Sequence, residues 1–391
     1  MSSILSNRVQ KVKPSATLAV TAKANELKAK GVKVVPMGSG EPDFDTPSNI
    51  QKAAVDAIRG GQTRYTAVDG TAELKSAIRE KFLRDNNLKY SANEVMASCG
   101  GKQVFYNLCQ AILNKDDEVI IPGPYWVSYP DMAILADATP VIIETGLDQD
   151  FKITPEQLES SITKKSKLLV LNSPSNPTGA VYTRKEIEEL GKVLERHPQV
   201  YIISDDIYEH ILLGDDDFVN IAMACPKLKD RTIILNGVSK AYAMTGWRIG
   251  YAAGPEDIIK AMKKIQGQST SNPTSIAQAA AVEALNGEQI FINTMVEAFS
   301  RRHDFLLESL NAIDGIQCPR SSGAFYSFPK VQGLIDRLGL SDDVEFATYC
   351  LEKLNIALVP GSAFGAPGYA RFSFATSMDN IKEAVDRLAN A

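Results

Sequence analysis

Through the middle of the chain, short apolar runs of strand length alternate with stretches whose apolar residues recur every three or four positions. The runs lie at 94–98, 118–121, 140–143, 168–171, 201–204, 233–235 and 249–252. Between them, Val104, Phe105, Leu108 and Ile112 share one helical face, as do Ile187, Leu190 and Leu194. Thr183 with Glu186 reads as a capping box, and Thr154-Pro155 as an N-cap followed by proline at the first helical position. Strands that alternate with helices predict an α/β fold, a mostly parallel seven-stranded sheet sandwiched by helices.

The two ends follow a different pattern. A basic helical piece at 22–30, a short strand at 32–37 and the turn-rich Gly38-Ser39-Gly40-Glu41-Pro42-Asp43 precede the alternating region. After it, a long helical pattern at 289–313 leads to strand-like 324–328, a helix at 344–354, strands at 357–359 and 370–374, and a last helix through Ile381, Val385 and Leu388. The expected division is a large α/β domain at 48–287 and a smaller α+β domain built from 1–47 and 288–391.

Composition narrows the class of protein. The chain has 391 residues, 44% hydrophobic and 23% charged, as in ordinary globular proteins, and its formal charge of -5 argues against nucleic acid or an anionic membrane as partner. The opening MSSILSNRVQKVK has no apolar signal core, and no run reaches the length of a membrane span, so a cytoplasmic location is expected. The 5 cysteines show no C-x-x-C spacing, which fits reduced thiols. The 3 histidines, His197, His210 and His303, stand far apart and offer poor material for a triad or a zinc site.

In open α/β sheets ligands sit at the carboxyl ends of the strands, so those ends carry the candidate chemistry. After 94–98 comes Cys99-Gly100-Gly101-Lys102, a glycine turn opening a helix and a ready phosphate site. After 168–171 comes Asn172-Ser173-Pro174-Ser175-Asn176-Pro177-Thr178-Gly179; after 201–204 come Asp205, Asp206 and Tyr208; after 233–235 come Ser239 and Lys240. A phosphate cradle, an amide, an acid, a phenol and a lysine thus converge on one rim. Taken singly, an asparagine or aspartate here also reads as a helix cap or turn, and Lys240 as a solvated loop residue. Together they match the needs of pyridoxal 5'-phosphate: an amine for its aldehyde, a carboxylate for its ring nitrogen, donors for its ring oxygen, and N–H groups with cations for its phosphate.

These residues carry a resemblance. The chain resembles the fold-type I pyridoxal-phosphate enzymes, specifically class I aminotransferases of the prokaryotic aspartate aminotransferase type, from Lys13-Pro14-Ser15-Ala16-Thr17 to Ala370-Arg371-Phe372-Ser373-Phe374-Ala375. The most specific motifs are Asn176-Pro177-Thr178-Gly179, Ser204-Asp205-Asp206-Ile207-Tyr208, and Ser239-Lys240 with Arg248 after them. The resemblance implies that Lys240 forms the Schiff base and shuttles the substrate proton, that Asp205 partners the ring nitrogen, and that Asn176 and Tyr208 bond the ring oxygen. It implies phosphate contacts from Gly101, Lys102, Ser239 and Arg248, with Tyr65 reaching the same phosphate across a homodimer interface. Trp126 is similar to the aromatic that stacks on the ring, and Arg371 to the arginine that grips the substrate α-carboxylate, helped by Asn176 and the backbone at Gly40. A cis Asn176-Pro177 bond is expected.

Two departures bear on specificity. Gly237 stands where many relatives of that type place a serine, and no arginine is evident for a second substrate carboxylate. In the prokaryotic type that task resembles one done by Lys102 with Ser15 and Thr17; Lys102 equally reads as a phosphate counter-charge. The expected activity is therefore ping-pong amino exchange between L-aspartate and 2-oxoglutarate, with prephenate or a broader set of keto acids, or a β-lyase of the same fold, as alternatives.

Other features are discounted. Asp205-Asp206-Ile207-Tyr208-Glu209-His210 has the look of a Mg²⁺ cluster, the basis of a metal-dependent lyase or phosphotransferase, but Asp205 already has a better use, so no metal is expected. Ser161-Ile162-Thr163-Lys164 matches S-x-x-K only formally, and Asp215-Asp216-Asp217 reads as a solvated loop. A regulator that binds the cofactor without turnover would need an appended DNA-binding segment, and none is evident.

Overall fold

The computed structural model describes residues 4–391 apart from 13, 15, 215 and 216, with the backbone alone at 16–18 and 21. Its strands are β1 (Val35–Pro36), β2 (Val95–Ser98), β3 (Glu118–Pro122), β4 (Thr139–Ile143), β5 (Ser166–Asn172), β6 (Tyr201–Asp205), β7 (Thr232–Gly237), β8 (Gly250–Ala253), β9 (Tyr326–Ser327), β10 (Ile356–Ala357), β11 (Val359–Pro360) and β12 (Ala370–Ser373). The second to eighth form one seven-stranded sheet in the order β2-β8-β7-β6-β5-β3-β4. All its pairings are parallel except those of β8, which runs antiparallel to β2 and β7. β2, β5, β6 and β7 therefore deliver their carboxyl ends to one edge.

The inner strands of this sheet are buried on both faces, as their unbroken apolar runs predict, whereas the edge strand β4 leaves Thr139 and Ile142 exposed. One apolar core gathers Phe105 and Leu108 of the helix Gly101–Ile112 with Val119, Val170 and Ile233. On the other face, Ile187, Leu190 and Leu194 of the helix Arg184–Arg196 pack with Ile120, Leu169 and Ile202. The caps read from sequence are present: Thr183 accepts from Glu186 N, and Thr154 from Gln157 N, both as capping boxes. A separate core joins Met295, Phe299 and Leu306 of the helix Ile290–Asn311 to Phe372, Ile381 and Leu388.

The differences from the sequence reading lie in the small sheets. The strand expected at 32–37 shrinks to β1, ended by Pro36, which has no N–H to offer a ladder. The run at 357–359 divides: β10 pairs with β1, whereas β11 pairs with β12, so the chain passes from one sheet to another at the buried Leu358. The helix expected at 22–30 spans Ala16–Ala29. Asp215 and Asp216 lie outside the described residues, while Asp217 is exposed and Ser161 Oγ simply donates to Gln157 O within its helix. Among the described residues no helix is long and apolar enough to cross a membrane.

Candidate active site

A cavity of about 280 Å³ opens at the carboxyl edge of the large sheet. Its walls include Gly101, Lys102, Trp126, Asn176, Asp205 and Tyr208, together with Gly40, Ser239, Lys240, Arg248 and Arg371. One described residue named from the sequence is not among them. Tyr65 is 92% exposed; Ser15 and the side chain of Thr17 lie outside the described residues.

Lys240 follows β7 and is half-buried, its Nζ donating to the carbonyl oxygen of Gly40 at 2.5 Å. Burial, with the nearby cations of Arg371 and Arg248, lowers its amine to about 8. Gly40 thus faces the lysine, and the carbonyl oxygen that accepts a hydrogen bond from Arg371 Nη2, at 3.0 Å, is that of Gly38.

Asp205 ends β6 beside the end of β5, as the pairing of Asn172 with Asp205 records. Its Oδ2 accepts from Tyr129 Oη at 2.5 Å and its Oδ1 from Ile207 N at 3.3 Å. Burial raises its carboxyl to about 6 against the pull of Tyr129, Ile207 and Lys240. Asn172 Nδ2 donates to Asp205 O, Asn172 Oδ1 accepts from Asn176 N, and Asn176 Oδ1 accepts from Arg371 Nη1 at 2.9 Å. These hydrogen bonds link the main chain at Asp205 to the arginine through Asn172 and Asn176. The Asn176-Pro177 bond is cis, as are Gly123-Pro124 and Ser173-Pro174.

Arg371 is 2% exposed, its guanidinium 4.3 Å over the ring centroid of Tyr326, and its Nε has no hydrogen-bond acceptor. A buried charged donor without a partner is costly, so it marks a place shaped for an anion. A second anion cradle sits where the helix Gly101–Ile112 begins. Gly100 there adopts φ 89°, and a Cβ on it would overlap the Arg248 guanidinium, which donates to Thr245 O and Cys99 O. Lys102 stands at the mouth with Nζ 5.0 Å over the Trp126 ring, its amine lowered by burial and by Arg248.

The acidic run at 205–210 does not converge on one point. Asp206 accepts from Ser204 Oγ and Asn220 Nδ2. Glu209 turns to the fully buried Lys81, to Asn86 and to Asn236. His210 comes near Asp85 and Glu209, their ligand atoms within 4.8 Å of one another, but the ammonium of Lys81 already sits against Glu209. Sequence reasoning missed Tyr129, Tyr326, Asn172 and Thr245 as cavity residues. Of these, only Asn172 lay in a stretch already marked as a strand end.

Comparison with known proteins places this site in context. The model of the family "Aminotransferase class I and II" matches residues 32–388. An aspartate/prephenate aminotransferase of Nitrosomonas europaea is 57% identical over 392 residues, 99% of each chain. One of Cereibacter sphaeroides is 54% identical, over 98% of this chain and 97% of that protein. Among solved structures, the aspartate aminotransferase of Rhizobium meliloti superposes with a TM-score of 0.95 at 46% identity, covering 100% of this chain and 99% of that one. That of Thermus thermophilus, solved with maleate, gives 0.94 at 44% identity and 100% coverage of both.

Proposed function

The chain belongs to the class I and II aminotransferases, and from that premise we propose that it exchanges an amino group between L-aspartate and 2-oxoglutarate by a ping-pong mechanism, with pyridoxal 5'-phosphate held in the cavity. The observation that carries the assignment is the facing of Lys240, Asp205 and Arg371 across one cavity, each in a distinct electrostatic setting.

The donor set fits the cofactor. Gly101 at a helix start, with Ser239 and Arg248, suits a phosphate; Asp205 on the floor suits a protonated ring nitrogen; Trp126 supplies a flat wall. When bound, the cofactor supplies an electron sink for the charge left on substrate Cα. The chain's own work is then specific. Lys240 Nζ, an amine near about 8, is the nucleophile and afterwards the base that moves the Cα proton. Asp205 holds the ring-nitrogen proton, with Tyr129 and Ile207 N steadying its charge. Tyr208 and Asn176 serve the ring oxygen. Arg371 takes the substrate α-carboxylate with its unpartnered Nε edge, aimed by Asn176 and Gly38.

Lys102, whose Nζ lies over the Trp126 ring, is the cation we assign to the second carboxylate of a dicarboxylic substrate, together with Ser15 and Thr17. The relatives named aspartate/prephenate aminotransferase favour a second reading in which prephenate is also an acceptor. We further propose a cytoplasmic homodimer in which Tyr65 completes the partner's phosphate site. Its nearly complete exposure and the free cysteines support this. Closure would carry 1–47 and 288–391, with Arg371, toward 48–287.

The test is a half-reaction panel on the purified holoenzyme. Aspartate should convert the cofactor stoichiometrically to its amine form with release of oxaloacetate. Release of ammonia, or loss of a side-chain fragment, would instead identify a lyase.

A further inference from the structure

Tyr326 begins β9, in a sheet separate from that of the cofactor residues, and pairs with Ser373 of β12, the strand that carries Arg371. It is fully buried. Its hydroxyl lies 2.9 Å from that of Tyr208, and its ring lies under the Arg371 guanidinium at 4.3 Å. A single side chain thus touches both the phenol assigned to the cofactor ring oxygen and the arginine assigned to the substrate carboxylate.

Burial raises both phenols above their ordinary value, so each keeps its one proton. If Tyr208 donates to the ring oxygen, its own oxygen must accept from Tyr326, because only one proton lies between the two hydroxyls. Tyr326 then polarises Tyr208 as a donor. The cation over the Tyr326 ring sharpens that donor, and a carboxylate bound to Arg371 would blunt it.

Resting on the assignment of this site to pyridoxal phosphate, we propose that Tyr326 is a positioning residue that relays the occupancy of Arg371 to Tyr208 and so tunes the hydrogen bond to the cofactor ring oxygen. Tyr326→Phe isolates the relay: the ring remains beneath Arg371, whose bonds to Asn176 and Gly38 are untouched, and only the hydroxyl is lost.

The experiment is an absorbance–pH titration of the Lys240-bound cofactor in the holoenzyme, with and without maleate, which fills the carboxylate sites but has no amine to transfer. A weaker donor leaves more charge on the ring oxygen, so the neighbouring proton is held more tightly. The midpoint in Tyr326→Phe should therefore rise by about half a unit, and the shift caused by maleate should shrink. Tyr208→Phe supplies the second arm: adding Tyr326→Phe to it should change nothing further. An unchanged midpoint with an unchanged maleate shift, or additive effects in the double variant, overturns the relay. Absence of any pH-dependent cofactor absorbance in the unaltered protein would overturn the site assignment itself, a separate failure.

Discussion

The Tyr129 hydroxyl donates to Asp205 Oδ2 at 2.5 Å on the floor of the cavity. Tyr129 is fully packed, edge-on to Trp126 at 5.2 Å and tilted against Phe105 at 5.0 Å, so its hydroxyl is held in place by apolar neighbours. A buried carboxylate that must stay ionised needs such donors, because desolvation works against its charge. Asp205 is thus a group whose ionisation costs stability and whose charge the proposed chemistry requires.

That conflict has a measurable sign. The folded-state carboxyl of Asp205 lies near about 6 against an ordinary 3.8, so its contribution to stability is present below 3.8 and is lost as pH rises through about 6. Asp205→Asn should stabilise the cofactor-free protein at pH 8 by roughly 1–3 kcal/mol, from 1.36 kcal/mol per pKa unit, while nearly abolishing transamination. Denaturant melts of the cofactor-free protein at pH 3.5 and 8 check this; equal changes at both would refute it. Tyr129→Phe should move the acid limb of cofactor affinity to higher pH, measured by fluorescence titration.

Lys240 gives a second pH dependence. With its amine lowered to about 8 by burial and by Arg371 and Arg248, the nucleophilic neutral form accumulates as pH rises through that value. The rate at which cofactor-free protein captures pyridoxal phosphate should climb with a midpoint near about 8 and level off above it. A stopped-flow absorbance series from pH 6 to 10 tests this. Lys240→Ala should show no capture and no turnover.

Much of this site was legible in the chain because strand ends are local features: an apolar run that stops at Asp205 or before Ser239-Lys240 can be read without knowing what lies opposite. Tyr129 and Tyr326 could not be found that way. Each sits in an apolar pattern that predicts only packing, and the partner that makes it polar in function, Asp205 or Tyr208, comes from a distant element. The division of 357–359 between two sheets was hidden for a similar reason, since period-two alternation does not say which neighbour a strand will pair with. Lys81 is the opposite case, a charge that the pattern does not mark as buried. It lies in a charged helical pattern, Ala72–Asn86, yet its ammonium is wholly enclosed.

The enclosure of Lys81 makes a stability prediction. Burial opposes the charge on Glu209, but Lys81, His210 and Asn86 outweigh it and hold the carboxyl at about 2, below its ordinary 4.5. Its contribution is therefore present above 4.5 and lost as pH falls toward 2. Lys81→Met leaves Glu209 charged, buried and short of a counter-ion, and should cost about 3–5 kcal/mol by urea unfolding at pH 7. Adding Glu209→Gln should recover part of the loss.

Under the proposed function, substrate choice rests on Lys102. Its Nζ stands over Trp126 at the mouth, while the Arg248 guanidinium lies against the glycine turn, its Nη2 donating to Cys99 O. A charge-assisted hydrogen bond to a distal carboxylate is worth about 1.5–3 kcal/mol, or roughly 10- to 100-fold in kcat/KM. Lys102→Ala should lose that factor with aspartate and 2-oxoglutarate. Alanine, which has no second carboxylate, should lose less than about threefold, because removing an interaction it never makes leaves its transition state unchanged. If Lys102 served only the phosphate, both substrates would lose equally and cofactor affinity would fall in parallel. Steady-state kinetics with both amino donors, alongside the cofactor dissociation constant, therefore separates the two roles of one lysine.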